Sequence, residues 1–139
     1  MRATLLALSV AALAACGPDI AMRTASTVLS CDMDKHQQNV DWGDADLKGK
    51  IEFGDAVHGD AGGLVRVQVP IHNLSTDTLH VEYKFSFYDG QGMEMEGLSG
   101  AWQSKAANGR ETVNMEGLAP KAGARSWRLY VRGDKPIRP

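Results

Sequence analysis

From Leu47 onward, apolar and polar residues alternate along the chain with a period of two. Ile51, Phe53 and Val57 are interleaved with Glu52 and Asp55, and "GDAGG" then turns the chain. Val65, Val67, Val69 and Ile71 alternate with Arg66, Gln68, Pro70 and His72. After "NLSTD", Leu79, Val81, Tyr83, Phe85 and Phe87 share one face, while His80, Glu82, Lys84, Ser86 and Tyr88 share the other. A one-residue slip of this segment would expose all of its large apolar groups, so its register is tightly specified. Met93 and Met95, then Val113 with Met115, then Trp127, Leu129 and Val131 continue the pattern, with "GLAPKAGA" as the loop before the last of them. Short strands at close spacing, Gly-rich turns and no helical period predict an all-β, antiparallel, immunoglobulin-like sandwich of about six to seven strands. Pro70 lacks an N–H, so its strand is expected at a sheet edge or to carry a bulge.

The break in this pattern at "YDGQG" is read as a corner. Asp and Gly tolerate the positive φ of tight turns. A catalytic Asp89 would need an acid, base or metal partner, and its neighbours supply none.

Before Leu47 the chain reads differently. Arg2, the run "TLLALSVAALAA" and Cys16 give a basic start, an apolar stretch and small residues, in the order of an export signal. The run falls short of the roughly 20 apolar residues that span a bilayer. Leu13, Ala14 and Ala15 before Cys16 resemble the lipobox read by signal peptidase II, which implies a signal peptide over 1–15 and a diacylglyceryl thioether on Cys16. With two or three acyl chains, palmitate among them, such an anchor holds stably. Gly17 stands where Asp would direct inner-membrane retention, so by resemblance the expected location is the outer membrane, lipid-anchored and facing the periplasm. Residues 16–46 are mixed polar with no sustained period and read as the lipidated end and a flexible tether. Residues 47–139 form the sandwich domain with a short basic tail. Once Cys16 is acylated, Cys31 has no intramolecular partner; it reads as a lone thiol in the tether, with an intermolecular disulfide as the alternative.

Composition adds little beyond this. The chain carries 15 basic and 17 acidic residues, a near balance that gives no sign of nucleic-acid binding. Basic residues do gather near the C-terminus, at Lys121, Arg125, Arg128, Arg132, Lys135 and Arg138. Arg125, Arg128 and Arg132 are the candidate partner-binding residues, suited to an anionic envelope component. The alternative is an outward strand face balanced by acidic neighbours.

"DADLKGKIEFGD", residues 44–55, has the outline of a calcium loop, but Lys48 stands where an oxygen ligand is needed and Asp55 replaces the bidentate Glu, so it reads as the approach to the first strand. Met93 and Met95 with His72 and His80 suggest a soft-metal site such as a periplasmic copper carrier would use, although methionines on an apolar face more often pack the core. There is no G-x-S-x-G and no H-E-x-x-H. No metal site, cofactor or catalytic residue is assigned.

The segment "VQVPIHNLSTDTLHVEYKFSFYDGQGMEMEGLSGAWQ", followed by "GLAP" and "WRLYVRG", resembles the YcfL-like family of small bacterial lipoproteins. The shared pattern is Asn73 ending one strand, then Phe87-Tyr88-Asp89, Gly92, Trp102, Ala119-Pro120 and a final strand. The resemblance implies an immunoglobulin-type sandwich of uncharacterised function and hints at a setting in peptidoglycan synthesis. The expectation is a non-enzymatic accessory or binding module that meets the membrane through its lipid and an envelope protein or peptidoglycan through its surface. A metal carrier is the alternative.

Overall fold

The computed structural model describes residues 26–97 and 101–133. The expected signal peptide with Leu13, Ala14 and Ala15, the lipidation site Cys16, and the tail residues Lys135 and Arg138 lie outside the described residues.

Among the described residues nine strands follow one another: β1 (Thr27–Asp32), β2 (Gln37–Asp41), β3 (Ile51–Phe53), β4 (Val57–Ala61), β5 (Leu64–Asn73), β6 (Leu79–Tyr88), β7 (Gln103–Ala107), β8 (Thr112–Leu118) and β9 (Ser126–Gly133). They form two antiparallel sheets. The first has the order β2-β1-β9-β6-β7. In the second, β5 is central, with β8 along one side and β3 and β4 in succession along the other. β5 pairs with β8 and β6 with β9, and the connections β5–β6 and β8–β9 each cross between sheets, which is the interlocked core of immunoglobulin-type sandwiches.

The alternation read from the sequence sets the two layers. Val67, Val69, Ile71 and Met115 face inward from the second sheet; Leu29, Val81, Phe85, Phe87, Trp127, Leu129 and Val131 meet them from the first. Phe85 lies edge-on to Trp127 at 5.7 Å and stacks on Phe87 at 6.0 Å. Gly117 on β8 leaves room for this cluster, since a Cβ there would fall 2.6 Å from the Phe85 ring.

Pro70 meets neither expectation in its own strand: the β5–β8 register runs unbroken through it, and the irregularity lies in the partner strand instead. β5 is paired on both sides, so it is no edge strand, but Pro70 lies opposite the break between β3 and β4. Its carbonyl accepts from Gly54 N at 2.8 Å, and the missing N–H falls on this same side, where the partner strand is interrupted.

Asn73 ends β5 with no exposed surface. Its Nδ2 donates to the carbonyls of Asp77, Ala107 and Asn108 at 2.8, 3.1 and 3.0 Å, and its Oδ1 accepts from the amide and hydroxyl of Ser75 at 2.9 and 2.7 Å. One side chain thus ties the crossover after β5 to the end of β7.

Three features depart from the sequence reading. The tether assigned to 16–46 already contains β1 and β2, with β1 paired to β9 along its whole length. Thr27, Leu29 and Cys31 point inward there, a set with one strongly apolar member and therefore no visible period. Met93 and Met95 form no strand. Met95 is buried, Met93 is exposed, and the segment touches β6 through a single bridge, Tyr88 to Glu94. β7, "QSKAA", is an edge strand too polar to show alternation.

Removing the Asn73 amide leaves buried carbonyls unpaired, at a cost of about 1–3 kcal/mol for each group stranded. Asn73→Ala is expected to lower stability by about 2–4 kcal/mol, read as a shifted urea midpoint with an unchanged slope.

Candidate functional site

The inward face of β6 and β9 fixes what the outward face presents. With Phe85 opposite Leu129 and Phe87 opposite Trp127, the alternate residues Glu82, Lys84 and Ser86 stand opposite Arg132, Tyr130 and Arg128 on the outer surface of the first sheet. Arg132 Nε donates to Glu82 at 2.6 Å, and its guanidinium lies 3.9 Å from the centre of the Trp102 ring. Lys84 Nζ sits 5.0 Å from Trp102 and 5.2 Å from Tyr130, and the Arg128 guanidinium is 5.0 Å from the Tyr88 ring. Cations and aromatic rings therefore alternate across the sheet, each cation held in place by a ring face. Burial, and then the adjoining Tyr130, pushes the Tyr88 hydroxyl up to about 12, against the lowering pull of Arg128, so it stays a hydrogen-bond donor at any ordinary pH.

Of the three arginines singled out from the sequence, Arg128 and Arg132 share this face. Arg125 lies in the loop before β9 and meets Asp34 at 3.6 Å in an exposed pair that solvent screens. Among the described residues, Arg128 and Lys84 have no carboxylate within ion-pair distance. Beside Arg128 lies a polar cavity of 250 Å³, lined by Ser30, Asp32, Gln37, Asn39, Tyr88, Gly92 and Ser126 among others.

A larger groove of 1160 Å³ runs along one seam of the sandwich, between the outermost strands β7 and β8. Tyr83, Phe85, Val113 and Gly117 line its floor, and Arg66, Glu96, Lys105 and Glu116 line its rim. The Tyr83 hydroxyl donates to Gln103 Oε1 at 3.1 Å, and Glu116 accepts from Arg66 and Gln68, each at 3.1 Å. The other seam is shut. There Gln38 Oε1 accepts from Ala56 N at 2.9 Å and the Trp42 and Phe53 rings lie 5.7 Å apart.

The remaining residues considered for chemistry are structurally committed. Asp89 Oδ1 accepts from Gln91 N and Met93 N at 2.9 and 3.0 Å, so "YDGQG" is a corner held by its own aspartate. Asp44 Oδ1 accepts from Asp46 N and its Oδ2 from Gly133 N, at 3.0 and 3.1 Å, which fastens the 44–46 turn to the end of β9. His72 and His80 are on strands of different sheets and point outward from opposite faces, so they do not converge with each other or with Met93 and Met95. Among the described residues no cluster of His, Cys, Asp and Glu is placed to hold a metal ion. Cys31 is 4% exposed on the inner face of β1, and burial, then Asp32, raises its thiol pKa. That removes the exposed tether thiol on which the intermolecular disulfide depended.

One contact had no signal in the sequence. The Trp127 indole N–H, inside the core, donates to His58 Nε2 on β4 at 2.8 Å and so bridges the sheets. His58 must then carry its neutral-state proton on Nδ1.

The molecule is thus an antiparallel β-sandwich with one closed and one open seam. The family described as "Protein of unknown function (DUF1425)" matches residues 38–133, and the chain belongs to it. A DUF1425 family member from Shewanella sp. pv-4 has a similar crystal structure, with a TM-score of 0.55, 26% identity, and coverage of 64% of this chain and 81% of that one. The crystal structure of Campylobacter jejuni cj0090 is similar in fold, with a TM-score of 0.50, 21% identity, and coverage of 63% and 88%. No protein of curated function matches the chain. The family match starts inside β2, so β1 precedes it.

Burial, and then the nearby His36, lowers the pKa of His58 below the ordinary 6.5. The unfolded chain then binds a proton at this site more readily than the folded one, so stability falls as pH drops through 6.5 and levels off below the folded value. In His58→Gln, whose amide oxygen accepts from Trp127 without titrating, this part of the pH dependence should vanish in urea titrations run from pH 7 downward.

Proposed function

We propose that this protein is a non-enzymatic accessory module of the cell envelope, of the YcfL-like kind. It is anchored through a lipid on Cys16 to the outer membrane, faces the periplasm, and takes up a segment of an envelope protein along its open seam. Peptidoglycan synthesis is the setting the resemblance suggests.

The observation that carries this reading is the free edge of β8 beside the groove. Asn73 N donates to Glu111 O and Ala119 N donates to Val65 O, so the odd-numbered residues of β8 turn their backbone groups toward β5. In an antiparallel ladder the alternate residues then turn theirs away. Asn114, Glu116 and Leu118, all on the groove lining, therefore offer backbone donors and acceptors to an incoming extended segment. Such a segment would direct every second side chain toward Tyr83 and Phe85. The described lining contains no Ser, Thr, Cys or His, which favours binding over acyl or phosphoryl transfer.

A photo-crosslinking residue at Leu118 is expected to trap one discrete partner in cells, while the same probe at His80, on the outer face of the other sheet, is expected not to. Asn114→Pro deletes an outward-facing amide that β5 does not use, so it should leave the fold intact and abolish the adduct. Equal trapping from Leu118 and His80, or an adduct unaffected by Asn114→Pro, would refute edge addition.

The anchor has its own test. Cys16→Ser is expected to leave the chain unprocessed or to release it from the membrane fraction. A processed chain that stays membrane-bound would defeat the lipid assignment.

A further inference from the structure

On the outer surface of the first sheet, β1 pairs Ser30 with Arg128 and Asp32 with Ser126. Asp32 and Arg128 are therefore diagonal neighbours on adjacent strands, about 7–8 Å apart at the backbone, a span that an arginine side chain readily crosses. They form no ion pair. Arg128 instead lies against the Tyr88 ring at 5.0 Å. Asp32 uses Oδ1 to accept from Asp34 N and Lys35 N at 3.0 and 3.3 Å, and among the described residues its Oδ2 has no hydrogen-bond partner. Between the two charges lies the 250 Å³ polar cavity, with Ser30, Asn39 and Ser126 on its walls.

We propose that this cavity binds a compact zwitterion, the α-amino-acid head group, with its carboxylate on the Arg128 guanidinium and its ammonium on Asp32. A simple anion would meet Arg128 but be repelled by Asp32, and a simple cation would suffer the reverse. An α-amino acid carries both charges on one carbon, so it joins two side chains that the sheet holds close but apart. The Tyr88 ring lies against Arg128, and the Tyr130 and Tyr88 hydroxyls engage part of its guanidinium, which holds the cation off Asp32 while its remaining N–H donors stay available to a carboxylate. The serine hydroxyls and the Asn39 amide are neutral groups able to complete the hydrogen bonding of either end. This site is separate from the β8 edge and does not depend on the groove reading.

The test is titration of the ¹⁵N-labelled full-length chain with alanine, followed at the amides of Ser30, Gly92 and Arg128. Saturable shifts at these three positions are expected. N-acetylalanine, which lacks the ammonium, and alaninamide, which lacks the carboxylate, should each bind at least about tenfold more weakly, since each forfeits a charge-assisted contact. Arg128→Gln and Asp32→Asn should each weaken alanine binding by about the same factor; Asp32→Asn keeps the side-chain oxygen that caps the Asp34 and Lys35 amides. Nε-acetyllysine separates the two sources of the head group. Binding as tight as alanine assigns the site to a head group on a larger molecule, and exclusion assigns it to a free small amino acid. Absence of saturable shifts with alanine would overturn the proposal. So would N-acetylalanine binding as well as alanine, which would mark a plain anion site, or alaninamide doing so, which would mark a plain cation site.

Discussion

Tyr83 stands opposite Val131, Phe85 opposite Leu129 and Phe87 opposite Trp127, and nearly everything else in the molecule is tied to that register. The side-chain period of a strand is two, so the pairing that buries these rings leaves Glu82, Lys84, Ser86 and Tyr88 on the outside, facing Arg132, Tyr130, Arg128 and Ser126. A slip by one residue would place four charged or polar groups in the core and a row of aromatic rings in water. Core and outer surface are consequently not independent. The cations on the outer face are held against rings by the same alignment that packs Trp127 between the sheets. The Trp127 contact with His58 extends the constraint to the second sheet, because it fixes β4 relative to β9 through a buried donor that needs a partner.

The two seams show what the molecule does with its edges. Unpaired strand edges invite other strands, and proteins ordinarily blunt them. Along the β2 and β3/β4 side this is done with a glutamine reaching to a backbone amide and a pair of rings packed at a tilt. Along the β7 and β8 side the blunting is partial: Lys105 is half-buried toward the groove, and Arg66 and Gln68 of β5 converge on Glu116 of β8. Gly117 contributes on this side too. Its lack of a side chain admits Phe85 from within and adds no side chain to the groove floor. This asymmetry is what supports the proposal of partner contact at the open seam.

How much of this was legible beforehand depends on how each strand is buried. β5, β6, β8 and β9 are buried on one face and alternate cleanly, so their existence, their inward residues and the sandwich itself could be read from period two alone. β2 and β7 are edge strands with polar residues on both faces, and no periodicity can report them. β1 escaped for a different reason: its inward set is Thr27, Leu29 and Cys31, and the threonine and the thiol do not register as apolar. The corner at Asp89 was legible because turn chemistry is local. The cation and aromatic ladder was half visible, since alternation places Tyr130, Arg128 and Arg132 on one face, but the approach of Trp102 to Arg132 crosses from outside β7 and has no local signal. The pairing of Asp32 with the Arg128 cavity was invisible while residue 32 was assigned to a tether.

Placing β1 in the sheet also changes the mechanics of anchoring. A tether running from Cys16 to residue 46 would have let the domain range widely, whereas the sandwich now begins at Thr27. With Cys16 held at the lipid surface, as proposed, the eleven-residue span to Thr27 reaches at most about 40 Å even when fully extended. β1 lies between β2 and β9, so the leash attaches to the interior of a five-stranded sheet and not to a frayed terminus. Pulling on it would load the β1–β9 ladder lengthwise, a direction in which the hydrogen bonds of a whole strand share the force. A partner taken up at the open seam must then come within a few tens of ångströms of the membrane, or be long enough to get there. If the proposed lipid anchor and the proposed uptake at the open seam both hold, that geometry suits a module that meets other membrane-held or wall-bound components.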